Sequence, residues 1–162
     1  MSPILLNRMI DKIKIAELVN GKLEENMFLV DISVSTNNVI HVEIDSFTGL
    51  TIDQCVAISR HIESNLDRET EDFELQVSSP GAGQPFKVRE QYRKNAGREL
   101  EVTLTGGKVL RGILMEAGEA GFVIEYQVKE KAEGSSKRVL VSKKQQVSFE
   151  EVERARVIIS FK

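Results

Sequence analysis

The first half of the chain changes between helical and strand-like spacing of its apolar residues. After Pro3, apolar side chains at positions 6, 9, 10, 13 and 18 recur at helical spacing and predict a first helix. The stretches MFLVDISVS and VIHVEIDS alternate apolar and polar residues, and the turn-like sequence TNN joins them. They predict a β-hairpin in which one face carries Phe28, Val30, Ile32 and Val34.

A second helix and a third strand follow the hairpin. TIDQCVAISRHIESNL opens with Thr51 and Gln54 at the spacing of a capping box, and its apolar stripe consists of Cys55, Ile58, Ile62 and Leu66. Alternation resumes at Phe73, Leu75 and Val77, which predicts a strand. The resulting order α-β-β-α-β describes a three-stranded sheet covered on one side by two helices.

The second half of the chain has a different pattern. A helical stub, VREQYRKN, precedes five alternating segments, RELEVTL, KVLRGILME, GFVIEYQV, RVLVSKKQQVSF and ARVIISF. The segments TGG, AGEA and KEKAEGSSK separate strands, and five short strands predict a small SH3-like or Sm-like β-barrel. We therefore predict an α+β protein with an N-terminal α/β domain at 1–83 and a C-terminal barrel domain at 84–162.

Composition excludes several classes of protein. The 162 residues are 41% apolar and 29% charged, which is typical of a folded protein. The single cysteine, Cys55, forms no intrachain disulfide, and the chain lacks CxxC, so redox and zinc chemistry are disfavoured and we expect no cofactor. Charges at Arg8, Asp11, Lys12 and Lys14 interrupt the N-terminal apolar run, which argues against a signal peptide or membrane span and favours the cytoplasm.

Charge is distributed unevenly along the chain. Residues 1–86 contain 6 Lys and Arg against 14 Asp and Glu, whereas residues 87–162 contain 16 against 11. A basic region attracts phosphates, although a solvated charged face explains the same pattern. Two basic clusters are candidate RNA contacts: Arg89, Arg93, Lys94 and Arg98 near the helical stub, and Lys137, Arg138, Lys143 and Lys144 around the fourth barrel strand.

The stretch FELQVSSPGAGQPF does not match a catalytic or phosphate-binding motif. A nucleophile elbow requires glycine where Val77 stands, and a dinucleotide loop requires a third glycine where Phe86 stands. Prolines fix φ, glycines permit turns, and serine hydroxyls satisfy local backbone groups. We interpret the segment as a connection that sets how two domains meet, with Ser78, Ser79, Pro80, Gly81 and Pro85 as its motif residues.

Other candidates for chemistry are few, and we expect no catalytic residue. His41, Glu43 and Asp45 alternate along one strand and are a candidate metal site for a hydrolase, against the simpler reading of a solvated sheet face. Local spacing places no carboxylate beside His61, so it is a poor candidate for a general base. Cys55 lies at a core position of a helix, where burial raises the pKa of a thiol.

Two motifs and their order resemble the RimP family of ribosome maturation factors. VEIDSFTGLTIDQCVAISRHI is followed by FELQVSSPGAGQPF and by a short helix that leads into Gly97-Arg98-Glu99, and the similarity covers essentially the whole chain. The Ser-Ser-Pro-Gly core and the second proline of the family motif are kept. The chain departs from the family where Ala82-Gly83-Gln84 replace Leu-Asp-Arg and where Gln54 replaces an acidic residue.

The resemblance implies a non-enzymatic assembly factor of the bacterial small ribosomal subunit. Family members bind the free small subunit and assist incorporation of ribosomal protein twelve, so the implied partners are ribosomal RNA and that protein, with no small-molecule substrate and no membrane. We expect a monomer in which the basic clusters contact RNA or ribosomal protein. The alternatives are an Sm-like RNA-binding module unrelated to ribosome assembly, or a metal-dependent hydrolase that uses His41, Glu43 and Asp45.

Overall fold

The chain divides into two compact units, and the boundary along the chain falls between Pro80 and Gly81. The computed structural model describes residues 10–131, 133–134 and 136–159. The N-terminal part of the predicted first helix, including Pro3, Leu6 and Met9, lies outside the described residues. Within the described ranges, every helix is too short or too polar to cross a membrane.

The first unit has the predicted order of elements and a three-stranded sheet. The central strand β2 pairs antiparallel with β1 and parallel with β3. The first helix begins after Asp11, whose carboxylate accepts a hydrogen bond from the Ile13 amide at 2.9 Å and so satisfies a free N–H of the first turn. The elements are α1 (Lys12–Asn20), β1 (Met27–Val34), β2 (Val39–Ser46), α2 (Ile52–Ser64) and β3 (Glu74–Ser78).

The core of the first unit joins the central strand to the second helix. Ile40, Val42 and Ile44 of β2 are fully buried, and Ile58 and Ile62 of α2 pack in the same cluster. The predicted stripe of α2 is confirmed, because its two outer members are half-buried against this cluster. Burying each of these side chains contributes roughly 1.5–3 kcal/mol of transfer free energy.

A β-bulge changes the prediction for β1. The ladder with β2 shifts by one residue between Leu29 and Asp31. Beyond the bulge Ile32 packs in the core, whereas Phe28 lies outside that cluster, with its ring 4.9 Å from the ring of Phe47. The prediction of one continuous apolar face along this strand is therefore wrong, because an extra residue exchanges the two faces.

The second unit contains a short helix and a five-stranded antiparallel sheet with the order β7-β6-β5-β4-β8. The five predicted strands are confirmed, but the sheet is open with β7 and β8 at its edges, so closure into a barrel is not confirmed. The predicted break KEKAEGSSK begins too early, because β6 continues through its first three residues. The elements are α3 (Arg89–Lys94), β4 (Glu99–Leu104), β5 (Val109–Ala117), β6 (Gly121–Lys131), β7 (Arg138–Ser148) and β8 (Val152–Val157).

Alternating residues of the sheet form the core of the second unit. Leu100, Val102, Leu114, Ile124 and Val147 are fully buried in one cluster. Because side chains alternate across a strand, the residues between them lie on the opposite face. The sheet therefore has one face towards its own core and one that carries most of its charged side chains.

The predicted turn at TGG is confirmed. Gly106 and Gly107 have φ angles of 98° and 97°, which glycine adopts without a steric penalty. The Gly107 amide donates to the Leu104 carbonyl at 2.9 Å, and the Leu104 amide donates to the Lys108 carbonyl at 2.8 Å. These bonds close a tight hairpin between β4 and β5.

Candidate functional site

The first serine of the proline-rich motif is held within the first unit. Ser78 ends β3 and pairs in parallel with Glu43 of β2. Its hydroxyl oxygen lies 2.9 Å from Nε2 of His41, and both side chains are half-buried. Ser79 is exposed. Parallel pairing of β2 with β3 therefore brings one residue of the predicted metal site and one residue of the motif into a direct hydrogen bond.

The rest of the motif forms a turn that ends on the sheet of the second unit. The Gln84 amide donates to the Gly81 carbonyl at 3.2 Å, and the Phe86 amide donates to the Ala155 carbonyl of β8 at 2.7 Å. Gly83 has a φ of 77°, and a Cβ there would lie 2.8 Å from Cδ1 of Ile159. Glycine is therefore the fitting residue at a position where the chain departs from the family motif.

An aromatic cluster holds α3 against the sheet of the second unit. The Tyr92 ring stacks on Phe122 at 5.1 Å, and it meets Phe86 edge-on at 4.8 Å and Phe149 at 4.9 Å. Burial in this cluster raises the pKa of Tyr92 to about 12, because desolvation disfavours the phenolate. Gln91 is also buried. The cluster gives a six-residue helix a fixed position that its own hydrogen bonds are too few to provide.

Gln91 completes the start of this helix. Its Oε1 accepts from the backbone amides of Lys87 at 2.6 Å and Val88 at 3.1 Å. Residue 88 is a valine and offers no side-chain oxygen, so the glutamine supplies the cap from inside the helix. The sequence analysis did not predict this role for Gln91, although a glutamine three residues after the cap position is the usual signal of a capping box.

The basic residues near the stub lie on and just after α3. Arg89 and Arg93 are exposed and four residues apart, so they share one helix face. The Arg89 guanidinium also lies 5.3 Å from the centre of the Phe149 ring, a cation–π contact. Lys94 is half-buried at the end of the helix, and Arg98 is exposed beside the start of β4. Of the first predicted cluster, only Arg89 and Arg93 therefore share one face of the helix.

The second predicted cluster is divided between the two faces of β7. Lys137 precedes the strand, and Arg138 begins it. Lys143 pairs with Glu130 at 2.5 Å, and the hydrogen bond to that carboxylate raises the lysine pKa. Lys144, the next residue along the strand, points to the opposite face, where Arg138 also lies.

Two lysines that the sequence analysis missed belong with Lys144 and Arg138. Lys129 and Lys131 are exposed residues of β6, and Lys131 pairs directly with Arg138 across the ladder. They were missed because the segment KEKAEGSSK was interpreted as a loop. The alternation of KEK was the available signal, since a strand places its first and third residues on one face.

Ion pairs organise the outer face of β4. Glu101 pairs in register with Arg111 of β5 and Arg156 of β8, and its carboxylate contacts them at 3.0 Å and 3.2 Å. The hydrogen bond from Arg111, supported by Arg156, lowers the pKa of Glu101. Both arginines are therefore paired with the Glu101 carboxylate, which weakens their attraction for an anionic partner.

The remaining candidate residues of the first unit lie in ordinary structural environments. Thr51 and Gln54 form both hydrogen bonds of the predicted capping box, and the Gln54 amide also donates to Glu24 at 2.6 Å. Partial burial raises the pKa of Cys55, as expected. His61 lies in the last turn of α2, where its carbonyl accepts from two following side chains. In the part of the chain that the structure describes, no group of three His, Cys, Asp or Glu side chains is arranged to hold a metal ion.

Comparisons with known proteins agree on one kind of relative. The family model of the RimP N-terminal domain matches residues 15–83. The chain is 35% identical to the ribosome maturation factor RimP of Flavobacterium psychrophilum over 93% of this chain and 98% of that protein. It is 40% identical to RimP of Porphyromonas gingivalis over 80% and 86%, and 32% identical to RimP of Christiangramia forsetii over 93% and 99%.

Proposed function

The chain belongs to the RimP family of ribosome maturation factors, and we propose from this premise that it assists assembly of the small ribosomal subunit. The observation that carries the proposal is identity of 35% with such a factor over 93% of the chain. A role in ribosome maturation requires contact with the ribosome or one of its subunits. The finer proposal is that the protein binds the free small subunit in the cytoplasm and helps ribosomal protein twelve to be incorporated, without catalysing a reaction and acting as a monomer.

The uneven charge of the chain supports a division of labour between two domains, at 1–83 and 84–162. Residues 1–86 carry 6 basic and 14 acidic side chains, and residues 87–162 carry 16 and 11. An acidic surface is suited to a basic ribosomal protein, and a basic surface to ribosomal RNA. We propose that the C-terminal domain is the SH3-like or Sm-like module of the family, because its five strands bury one face in a single core.

Sedimentation through a sucrose gradient tests the proposal directly. The protein should travel with free small subunits and be absent from complete ribosomes, because an assembly factor leaves before the subunits join. Small subunits from cells that lack the protein should also hold less ribosomal protein twelve than those from wild-type cells. A protein that stays at the top of the gradient in the presence of free subunits would contradict the proposal.

We further propose that the motif from Ser78 to Pro85 fixes how the two domains meet. Replacing Pro80 and Pro85 by glycine adds conformational freedom, an effect of roughly 1 kcal/mol per site. The variant should keep its circular dichroism spectrum, show less correlated tumbling of its domains in NMR relaxation, and bind the small subunit several-fold more weakly through lost preorganisation. Ser79→Ala is the control, because it alters an exposed residue of the motif and leaves both prolines in place.

One contact favours a second candidate function, hydrolysis by a serine nucleophile. A hydroxyl 2.9 Å from an imidazole nitrogen, as in Ser78 and His41, has the spacing of a nucleophile and its general base. Against this, Ser78 is a paired residue of a strand, and Gln76 and Pro80 stand where a nucleophile elbow centred on Ser78 needs glycines. An esterase activity that Ser78→Ala abolishes while the fold is kept would support hydrolysis over assembly.

A further inference from the structure

The strands β6 and β7 extend beyond the rest of their sheet as a two-stranded arm. The ladder of β5 with β6 ends at Glu125, which pairs with Ile113. From that point the two strands continue to pair with each other through to Lys131 and Arg138. We define the arm as residues 125–131 and 138–144. At about 3.4 Å per residue its length is roughly 20 Å.

Alternation divides the arm into two chemically different faces. One face continues the side of the sheet that carries the core residues Phe122 and Val147. It contains Tyr126, Val128, Glu130, Val139, Val141 and Lys143. The opposite face, which we call the basic face, contains Glu125, Gln127, Lys129, Lys131, Arg138, Leu140, Ser142 and Lys144.

The cations of the basic face are exposed, and no ion pair involves them within the described residues. They are Lys129, Lys131, Arg138 and Lys144. On the other face, by contrast, Lys143 is paired with Glu130 at 2.5 Å. Glu125 is the one carboxylate of the basic face, opposite Lys144 at the base of the arm. Residues 125–144 contain 6 Lys and Arg against 3 Glu, a balance of +3 in a chain of net charge −3.

The arrangement of these cations indicates the kind of anion that fits them. On this ladder, cations two residues apart along a strand lie about 7 Å from each other, and Lys131 and Arg138 occupy the same rung. Binding unpaired bases relies on aromatic side chains for stacking, and the basic face carries none, since Tyr126 lies on the other face. A double-stranded RNA is recognised instead through its shape, phosphates and 2′-hydroxyls.

We propose that the basic face of the arm binds the sugar–phosphate backbone of double-stranded RNA. The four cations contact phosphates, and the uncharged Gln127 and Ser142, which face each other between them, offer hydrogen bonds to phosphate or 2′-hydroxyl oxygens. The physiological duplex is a helix of small-subunit RNA, and this assignment rests on the proposed function. The arm then extends the binding surface to an RNA helix beyond the body of the sheet.

Binding of a 20-base-pair RNA duplex to the full chain, measured at several salt concentrations, tests the proposal. Each lost phosphate contact reduces the slope of log K against log salt by about 0.7–0.9. The variant Lys129→Gln, Lys131→Gln, Arg138→Gln, Lys144→Gln should therefore lose about three units of slope and bind at least tenfold more weakly at low salt. Circular dichroism should show that this variant keeps the fold, because all four residues are exposed.

Two neighbouring lysines provide a matched control. Lys144→Gln removes a cation from the basic face and should lower the slope by nearly one unit. Lys143→Gln makes the same chemical change one residue earlier, on the opposite face, and should leave the slope unchanged. Equal effects of the two substitutions, or an unchanged slope in the fourfold variant, would overturn the proposal.

Two further comparisons distinguish double-stranded RNA from other polyanions, and failure of the binding site from failure of the proposed function. Single-stranded RNA of the same sequence, or polyglutamate of the same charge, should bind less tightly than the duplex, and equal binding would overturn the assignment to double-stranded RNA. If the protein binds the duplex through the basic face but does not sediment with small subunits, the proposed function fails and the binding site stands. If it sediments with small subunits and the fourfold variant binds the duplex normally, the binding site fails alone.

Discussion

Replacing Ser78 by alanine separates the structural and the catalytic interpretations of the proline-rich motif. The substitution removes the hydroxyl that lies 2.9 Å from Nε2 of His41, and both side chains are half-buried. A typical hydrogen bond between two side chains contributes about 0.5–1.5 kcal/mol to stability. We therefore expect Ser78→Ala to reduce the free energy of unfolding of the first unit by about 1 kcal/mol.

Urea and thermal unfolding measure this change. For a domain of 60–100 residues, a loss of 1 kcal/mol lowers Tm by roughly 4–8 °C. The neighbouring substitution Ser79→Ala is a matched control, because that serine is exposed and a surface change of this kind stays within about 0.5 kcal/mol. The double variant with His41→Ala should show a coupling energy of about 1 kcal/mol between the two residues.

Equal stability of the Ser78→Ala and Ser79→Ala variants would refute the reasoning, since it would show that the hydrogen bond contributes nothing. A coupling energy of zero between Ser78 and His41 would have the same meaning. A different result, a hydrolytic activity lost with the hydroxyl while stability is unchanged, would favour the catalytic interpretation.

Three further predictions concern the second unit. Gly121→Ala places a Cβ 2.1 Å from the Val147 carbonyl oxygen and should destabilise the sheet by about 2 kcal/mol or more in urea unfolding, whereas Gly118→Ala, with its nearest contact at 3.8 Å, should have little effect. Gln91→Ala removes the acceptor of two amides and should cost about 1–2 kcal/mol in the same measurement. Burial raises the pKa of Tyr92 from 10 to about 12. The contribution of the neutral phenol to the free energy of unfolding is therefore fully present below pH 10, and roughly 2–3 kcal/mol of it is lost as pH rises through 12. Tyr92→Phe should flatten this alkaline loss, and an unchanged pH profile would contradict the assignment.

The sequence predicted elements well where one face of an element is buried. Ile40, Val42 and Ile44 alternate without interruption, and the stripe of α2 keeps helical spacing, because the same core lies behind both. Thr51 and Gln54 were also identified correctly, since a capping box is a contact over three residues. Each of these signals is local, so these elements can be predicted from the sequence without knowing which segments pack against them in the fold.

Features that depend on pairing between distant segments were not predictable in this way. The bulge of β1 follows from its register with β2, which alternation alone does not reveal. The contact of His41 with Ser78 joins residues 37 positions apart and requires β3 to pair in parallel with β2. The fit of glycine at position 83 follows from its φ of 77° and its approach to Ile159, which only the folded turn reveals.

The candidate binding site illustrates the same limit. Charge density along the sequence grouped Lys143 with Lys144, but a strand sends adjacent side chains to opposite faces, and one of them meets Glu130. The cations that do share a face with Lys144 come from both strands of the hairpin, Lys129 among them. A basic cluster in sequence is therefore a weaker guide than a basic face assigned by register.

The charge of the arm also explains how a chain with net charge −3 can bind a polyanion. At physiological ionic strength the Debye length is about 8 Å, so an RNA helix on the arm interacts mainly with the charges nearest to it. Those charges are the local balance of +3 in residues 125–144. At about 0.01 M salt the Debye length is about 30 Å, and the repulsion from the acidic remainder of the chain then reaches the same helix. The affinity for duplex RNA should therefore rise steeply as salt falls towards about 0.05 M and then level off, which a uniformly basic protein would not do.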